Sequence, residues 1–322
     1  KDDTMKIEKL PSGSFRVRKT YKGVTYTVVF DHKPTQKEVT QAMAAEMDKE
    51  PVKKTRLTFE DAARQYIQSK SNILSPSTER EYLGTLNRLS PKFKDILISE
   101  LTQNDIQVEI NRFAKELSPK TVRNYHGFIS SVLGVYRPNM KISTTLPQKR
   151  KYKPYIPSDS EVKIIMEQSA GTMFEIPIAL GCYGLRRSEI CALDINTDLD
   201  GTTLHIDKAM VLNKNNEWVI KHTNKTSEST RDIIISSNLA EKIRKQGYFY
   251  RGHPNSISDH LGRLEAQYNI PHFSLHKLRH YFASKMSALN IPEVDILAMG
   301  GWETDYVMKT VANTEYDFIM DF

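Results

Sequence analysis

The sequence has little cysteine and no long apolar run. Its 322 residues include two cysteines, Cys182 and Cys191, which are too few for a disulfide framework or a structural zinc site. We expect both to be buried free thiols. No apolar run approaches the ~20 residues of a membrane-spanning helix, and residues 1–6 carry no apolar segment of a signal peptide. The sequence therefore predicts a cytoplasmic protein without a membrane partner.

The composition shows only a modest excess of positive charge. Apolar residues make up 39% and charged residues 26%, which is typical of a soluble globular chain, and the length allows two or three domains. Lysine and arginine outnumber the acidic residues by 46 to 39, which gives a net charge of +7. Such an excess favours a polyanionic partner, but many basic proteins bind no nucleic acid. The positions of the basic residues are therefore more informative than their number.

Residues 14–30 alternate between apolar and polar side chains, which predicts two strands joined by a turn. Phe15 and Val17 share one face of the first strand, and Arg16 and Arg18 share the other. These two arginines could lie along phosphates, or they could simply face solvent.

A helix is predicted to follow the hairpin, from Thr35 to Met47, because Thr35 can cap it and Glu38 lies three residues further on. The sheet and helix make a small module that ends near residue 50. Residues 51–57 lack periodicity, so we interpret them as a linker.

The pattern from residue 58 to residue 136 is helical and predicts four or five short helices. Their starts are marked by Thr58, Ser75, Thr102 and Ser118. Four residues are predicted in first turns, where the backbone N–H groups of a helix suit a phosphate. They are Arg80, Lys120, Arg123 and Asn124. Each alone could be a solvated residue, and only their repetition favours DNA binding.

Residues 137–157 hold four prolines and show no apolar period, which indicates an extended linker. This linker carries a basic run that could cross a DNA duplex, and the run comprises Lys149, Arg150, Lys151 and Lys153. The last domain, residues 157–322, is predicted to be helical with three strands. The strands are predicted at residues 203–209, 217–222 and 231–235.

The segment from Gly181 to Ile190 is predicted to end one helix near Gly184 and to start another. Arg186 lies at that junction, and Glu189 lies one turn further along the same face. A guanidinium in this place can hold a phosphate with its planar fork, and the carboxylate can orient it. The alternative is an ordinary surface salt bridge.

A second cationic group is predicted on a helix that begins near His276. His276, Arg279 and His280 are three or four residues apart and so share a face. Two histidines at this spacing could also bind zinc, as in a zinc hydrolase. Such sites carry a glutamate after the first histidine, whereas Lys277 stands there. Lys225, in a polar turn between the second and third predicted strands, could deliver a proton or be solvated.

Four separated motifs agree in type and in order. They are Gly-Leu-Arg-x-Ser-Glu from residue 184, a lysine at 225, His-x-x-Arg-His from residue 276 and Gly-Gly-Trp from residue 300. Together they resemble the tyrosine recombinase or phage-integrase family, which includes the integrases of phages and conjugative transposons. The match is specific because four motifs in one order rarely coincide.

The resemblance implies a role for each residue. Arg186 and Arg279 would clamp a phosphate, and Lys225 would be the general acid. Glu189 would orient Arg186. The other implied site positions are His276, which is the histidine of the second motif, the supporting His280, and Trp302, which fills a position held by His or Trp.

The resemblance also implies a mainly α-helical fold with small β-sheets (α+β) in three domains. Residues 1–50 would bind arm sites on DNA. Residues 58–136 would form a SAM-like, helical core-binding domain, and residues 157–322 would form a mixed α/β catalytic domain.

The sequence departs from the family at the nucleophile. Thr310-Val311-Ala312 matches the usual Thr-x-Tyr ending, with Ala312 where the nucleophilic tyrosine belongs. Either the chain as written is deficient in cleavage, or a nearby tyrosine attacks instead. Tyr316 is the fallback candidate, and Tyr306 is the other tyrosine in reach of the motif.

The chemistry that the resemblance implies agrees with these residue types. Attack on a DNA phosphodiester needs charge stabilisation on the phosphate oxygens and a proton for the leaving 5′-oxygen. Two arginines, a histidine and a lysine supply both, and no carboxylate cluster suggests Mg²⁺. We therefore expect a cofactor-independent, site-specific recombinase that integrates and excises a mobile element through a 3′-phosphotyrosyl intermediate.

The expected partners follow from the same resemblance. They are the core and arm attachment sites on double-stranded DNA, three further copies of the chain in a homo-tetramer, and accessory DNA-bending or excision factors. The expected location is the bacterial cytoplasm. The alternative function is a sequence-specific DNA-binding protein that has lost catalysis.

Overall fold

The computed structural model describes residues 7–21, 24–48, 57–149, 155–222 and 230–302. In these ranges α-helices dominate, and the strands form three small antiparallel sheets. The buried apolar side chains collect in three separate clusters, one in each successive part of the chain. The predicted fold class, mainly α with small β-sheets, is confirmed.

The first cluster belongs to a three-stranded sheet covered by one helix. Its elements are β1 (Ile7–Lys9), β2 (Phe15–Tyr21), β3 (Val24–Phe30) and α1 (Gln36–Asp48). Val17 of β2 packs with Val39 and Met43 of α1. The sequence did not predict β1, because three residues are too few for a periodic pattern. β1 pairs with β2 in the register that sets Glu8 opposite Arg16.

The second cluster is built from five helices. They are α2 (Phe59–Ser69), α3 (Pro76–Arg88), α4 (Pro91–Lys94), α5 (Gln103–Glu116) and α6 (Pro119–Tyr136). The predicted starts at Thr58, Thr102 and Ser118 are confirmed, because each side chain accepts a hydrogen bond from a backbone N–H of the first turn. The single turn of α4, capped by Ser90, was not predicted.

The third cluster unites eight helices and five strands. The first helices are α7 (Asp159–Ser169), α8 (Glu175–Cys182), α9 (Arg187–Ile190) and α10 (Ile195–Asp198). The strands are β4 (Leu199–Asp200), β5 (Thr203–Ile206), β6 (Lys208–Leu212), β7 (Trp218–His222) and β8 (Arg231–Ile234). The last helices are α11 (Ser237–Gln246), α12 (Pro254–Tyr268), α13 (His276–Ala288) and α14 (Glu293–Gly300).

Strands are found at all three predicted places in this part of the chain, although one of the three is divided and β4 was not predicted. The segment 203–209 was predicted as one strand, but it is divided at Asp207 into β5 and β6. β5 lies between β4 and β8, whereas β6 pairs only with β7. Side-chain alternation cannot reveal such a break, since both halves remain extended and differ only in their distant partners.

Residues 223–230, which include Lys225, lie in the chain between two strands of different sheets. β7 pairs with β6, and β8 pairs with β5. Lys225 itself lies outside the described residues. The connection leads directly into β8, whose first residue is Arg231.

Helix α13 is buried on nearly all sides. Every residue from Leu278 to Lys285 is buried, whereas an amphipathic helix would bury only a stripe. The helix packs against α8 and α14, and Leu278 is fully buried in the cluster. Its polar residues Arg279 and His280 are consequently held by packing on both sides.

The cysteine prediction is confirmed for Cys191, which is buried, whereas Cys182 is only half-buried. Cys182 and Cys191 are free, and desolvation raises the pKa of the thiols to about 12 for Cys182 and about 11 for Cys191. Both sulfurs are therefore protonated at neutral pH. No helix in the described ranges combines the length and the apolar character that crossing a membrane requires.

Because α13 is the buried centre of the third cluster, Leu278→Ala is expected to lower the free energy of unfolding by about 2–5 kcal/mol. The matched control is Val294→Ala on neighbouring α14, where the side chain is 75% exposed and the expected loss is below about 0.5 kcal/mol. Urea denaturation followed by circular dichroism measures both. Equal losses in the two variants would contradict a core role for α13.

Candidate functional site

Arg186 is positioned by a tight turn between two helices. α8 ends at Cys182, and Gly184 adopts a φ of +86°. A Cβ at Gly184 would lie 2.9 Å from Cδ1 of Phe282, so both conformation and space require glycine there. The turn leaves Arg186 as the N-cap residue of α9.

Glu189 holds both the backbone and the side chain of Arg186. One carboxylate oxygen accepts from the Arg186 backbone N–H at 2.8 Å, and the other accepts from Arg186 Nη1 at 2.6 Å. The Glu189 side chain is only 5% exposed, and that of Arg186 is 37% exposed. The guanidinium of Arg186 is thus held by Glu189 and is open to solvent on one side, as an orienting role for Glu189 requires.

Arg231 is a functional residue that the sequence reasoning missed. Its Nη2 donates to Glu189 Oε2 at 2.9 Å and its Nη1 donates to Oε1 at 3.2 Å. Its Nε donates to the carbonyl oxygen of Met299 near the end of α14, at 3.0 Å. The sequence contained one signal for this residue. Arg231 shares a face of its predicted strand with the apolar Ile233, which indicates a buried arginine.

Arg279 reaches the same spot from α13. The residue is 1% exposed and donates to the carbonyl oxygen of Gly184 and, at 3.4 Å, to that of Gly301. Arg186 Nη2 donates to the same Gly301 oxygen at 3.0 Å. Two guanidiniums that are 93 positions apart in sequence therefore converge on one acceptor.

The Gly-Gly-Trp motif closes this site. Gly301 has a φ of +60° and caps the end of α14. A Cβ on Gly300 would overlap the ring of Trp302, with 1.8 Å to Cζ3, so Gly300 has to be glycine. The Trp302 ring lies against Arg279, whose Cζ is 4.2 Å from the ring centroid, a cation–π distance that fixes the plane of the guanidinium.

The site carries an excess of positive charge. Burial alone would raise the pKa of Glu189, but hydrogen bonds and charge from Arg231, with a further contribution from Arg186, lower it to about 2. Burial and the nearby charge of Arg186 lower the pKa of Arg279 to about 9, so it remains a cation at neutral pH. Three guanidiniums face one carboxylate, and an anion can bind to the surplus charge.

The two histidines of α13 lie beside this cluster. Their ring centroids are 5.1 Å apart and the rings are perpendicular. His276 is exposed, while His280 is buried. Burial and then the charge of Lys277 lower the pKa of His280 to about 4, and partial desolvation and Arg279 lower the pKa of His276. Both rings are therefore neutral at pH 7.

A metal site on these histidines finds no support. In the ranges that the structure covers, no three His, Cys, Asp or Glu side chains come together as a set of metal ligands. His276 and His280 are thus without a third ligand in those ranges.

The structure brings together four predicted site residues and sets others beside them. Arg186, Glu189, Arg279 and Trp302 are in contact through the bonds described above. His276 lies one helical turn before Arg279 on α13. Four further predicted positions, Lys225, Tyr306, Ala312 and Tyr316, lie outside the described residues.

Arg80, Arg123 and Asn124 differ from their predicted positions. Arg80 is the fifth residue of α3, and Arg123 and Asn124 are the fifth and sixth residues of α6. All three lie in second turns, because each helix already begins at the proline that follows its serine. Arg80 Nε donates to Asn216 Oδ1 at 3.0 Å, and Glu79 pairs with Lys214 at 3.1 Å. This face of α3 therefore contacts the turn between β6 and β7.

The other residues predicted to contact DNA are mostly exposed. Arg16 is half-buried and pairs with Glu8 at 2.7 Å. The exposed ones are Arg18, Lys120, Asn124 and Lys149. The remaining three, Arg150, Lys151 and Lys153, fall outside the described ranges.

Comparison with known proteins gives two family matches. The phage integrase family matches residues 165–312, and the phage integrase N-terminal SAM-like domain matches residues 58–114. A search of curated proteins finds no match.

Several solved structures share the fold. The Tn1549 transposon integrase in complex with transposon right end DNA is 17% identical, with a TM-score of 0.64 over 81% of this chain and 96% of that one. A lambda integrase dimer bound to a COC′ core site is 13% identical, with a TM-score of 0.58 over 98% and 97%. A lambda integrase tetramer bound to a Holliday junction is 13% identical, with a TM-score of 0.59 over 98% and 97%.

The lowered pKa of Glu189 predicts a pH-dependent contribution to stability. A carboxylate whose pKa falls from 4.5 to about 2 stabilises the fold fully above pH 4.5, and the effect disappears as the pH falls through 2. The shift corresponds to about 3 kcal/mol at pH 7 and to half of that or less at pH 3. Glu189→Gln should therefore lose more unfolding free energy at pH 7 than at pH 3.

Chemical denaturation at the two pH values tests this, with Glu167→Gln as the control because that side chain is 59% exposed. A Glu189→Gln loss that does not change between pH 7 and pH 3 would contradict the proposed charge network.

Proposed function

This chain belongs to the phage integrase family of tyrosine recombinases, and we propose on that basis that it is the site-specific recombinase of a mobile element. The observation that carries the proposal is the convergence of Arg186 and Arg279 on one oxygen, the carbonyl of Gly301. Two forked cations aimed at one acceptor are suited to the oxygens of a single DNA phosphate.

Arg186 and Arg279 are proposed to stabilise the charge that builds on the phosphate during strand cleavage. Arg279 Nε is buried without a hydrogen-bond partner among the described residues, and an unpaired buried donor costs about 1–3 kcal/mol. An anion that enters the site would supply an acceptor for Arg279 Nε, which the backbone carbonyl oxygens of Gly184 and Gly301 do not. Glu189 keeps Arg186 in place, and the ring of Trp302 keeps the plane of Arg279.

Lys225 and His276 are proposed to handle protons. The segment with Lys225 ends at Arg231, which lies inside the site, so a lysine a few residues earlier can reach the leaving 5′-oxygen and protonate it. His276 is exposed at the start of α13 and has a lowered pKa. Its neutral ring can donate a hydrogen bond to the phosphate from the open side.

Position 312 is proposed as the place of the nucleophile. The family match extends to this residue, and the phenol oxygen of a tyrosine there would form the 3′-phosphotyrosyl bond, which stores energy for rejoining. Because alanine stands at 312, the chain as written is proposed to bind DNA without cleaving it. The reaction needs no cofactor.

The assembly is proposed to contain four copies on two duplexes, since strand exchange between duplexes needs four cleaved strands. The lambda integrase tetramer on a Holliday junction supports this arrangement by its fold. Residues 58–136 would bind the core site, and the exposed Lys120 and Asn124 would be among the residues that contact it. Residues 1–50 would bind arm sites, and accessory DNA-bending or excision factors would assist in the bacterial cytoplasm.

A second candidate function is sequence-specific DNA binding without catalysis, and Ala312 favours it. The network around Glu189 argues for the recombinase, because a binding protein has no need of two arginines converging on one phosphate. The two candidates differ in what happens when a tyrosine is supplied.

Ala312→Tyr is expected to create a covalent protein–DNA adduct on denaturing gels. The duplexes are those enriched by this chain from a random-sequence library. The chain as written and the matched control Ala312→Phe, which has the ring but no hydroxyl, should bind the same duplexes and give no adduct.

Two outcomes would redirect the proposal. An adduct formed by the chain as written and lost in Tyr316→Phe would move the nucleophile to Tyr316. Tight binding with no adduct from Ala312→Tyr would favour the binding protein.

A further inference from the structure

We propose that Arg231 is a positioning residue that sets the arrangement of Arg186 and Arg279. This inference rests on the proposed recombinase function. It concerns a residue outside the four recognised motifs, which acts through its neighbours and does not touch DNA.

The contacts of Arg231 use its whole guanidinium. Both terminal nitrogens bind the two oxygens of Glu189, and Nε binds the carbonyl oxygen of Met299. The side chains of Arg231 and Glu189 are each 5% exposed. All three nitrogens of Arg231 are thus taken by protein acceptors, so any effect of Arg231 on the reaction has to pass through these partners.

Each partner of Arg231 leads to one of the clamping arginines. Glu189 binds the backbone and the guanidinium of Arg186. Met299 lies two residues before Gly301, whose carbonyl oxygen accepts from both Arg186 and Arg279. Arg231 thus connects two groups. One is the carboxylate of Glu189, which orients Arg186, and the other is the C-terminal end of α14, which aligns both Arg186 and Arg279.

Arg231 also ends the segment that carries Lys225. It is the first residue of β8 and directly follows the connection from β7. Its three hydrogen bonds hold the start of β8 against the site.

Lysine cannot replace arginine in this role. The ammonium group is a single point, whereas the planar guanidinium makes parallel bonds to a carboxylate and a third bond at its side. Arg231→Lys keeps the positive charge next to Glu189 but leaves the Met299 carbonyl or one carboxylate oxygen without its partner. This substitution separates geometry from charge.

The first measurement is strand cleavage in the Ala312→Tyr background. Arg231→Lys is expected to lower the cleavage rate at saturating DNA by about tenfold to a hundredfold, since a displacement near 1 Å of reacting groups has an effect of this size. DNA affinity should change little, because the nitrogens of Arg231 bind Glu189 and Met299 and not a phosphate. The loss therefore appears in kcat and not in KM.

The matched control is Lys208→Gln, which breaks another buried ion pair in the same part of the chain. Lys208 lies 2.9 Å from Asp198, whose side chain is 5% exposed, and the side-chain hydrogen bonds described for the two residues involve Thr197 and Asp194. Its cleavage rate should equal that of the parent. An equal loss in Lys208→Gln and Arg231→Lys would reduce Arg231 to general stability and overturn the proposal.

The second measurement does not depend on catalysis. The chain has two tryptophans, so Trp218→Phe leaves Trp302 as the only tryptophan signal. Arg231→Lys and Arg231→Gln in this background are expected to increase acrylamide quenching of Trp302 about twofold or more, because the end of α14 loses its anchor. Lys208→Gln should leave the quenching unchanged.

The two measurements distinguish failure of the inference from failure of the proposed function. If Ala312→Tyr does not cleave, the recombinase proposal fails, and the quenching of Trp302 alone decides the role of Arg231. Unchanged quenching in folded Arg231→Lys overturns the inference, whether or not the parent cleaves. Arg231→Lys serves this purpose even if Arg231→Gln does not fold.

Discussion

The described site depends on one buried carboxylate among three guanidiniums. Glu189 is the only acidic group that pairs with Arg186 and Arg231 in the described structure, and without it like charges would be crowded in a poorly solvated space. Removing one member of such a buried set is costly because the partners stay buried and uncompensated. The carboxylate neutralises part of the charge and leaves a surplus for an anion.

The rest of the third cluster serves to bring these groups together. The turn at Gly184, strand β8, helix α13 and the end of α14 come from distant parts of the sequence and meet within hydrogen-bond distance. Burial of α13 on nearly all sides fixes Arg279, and the left-handed turn at Gly301 points a carbonyl at two arginines. Packing thus provides an aligned site before any ligand binds, which is the condition for electrostatic stabilisation of a transition state.

Local signals in the sequence predicted local structure well. Thr58 and Thr102 start their helices because capping depends only on neighbouring residues. The proximity of Arg186 and Glu189 was likewise predictable, since they lie one turn apart. The sequence did not reveal the contacts of Arg231, the division of the strand at Asp207 or the assignment of β7 and β8 to different sheets. Each depends on which distant strand pairs with which, and side-chain alternation carries no such information.

The central claim is that Arg186 and Arg279 act together on one phosphate. The most direct measurement compares Arg186→Ala, Arg279→Ala and Arg187→Ala in the Ala312→Tyr background. Arg187 is the matched control, because it follows Arg186 in the chain but binds Asn255 and Ser258. The first two variants should lose roughly 10²–10³-fold in cleavage rate while they still bind DNA, and Arg187→Ala should cleave as its parent does. Loss of DNA binding in step with cleavage, or an equal loss in Arg187→Ala, would contradict the claim.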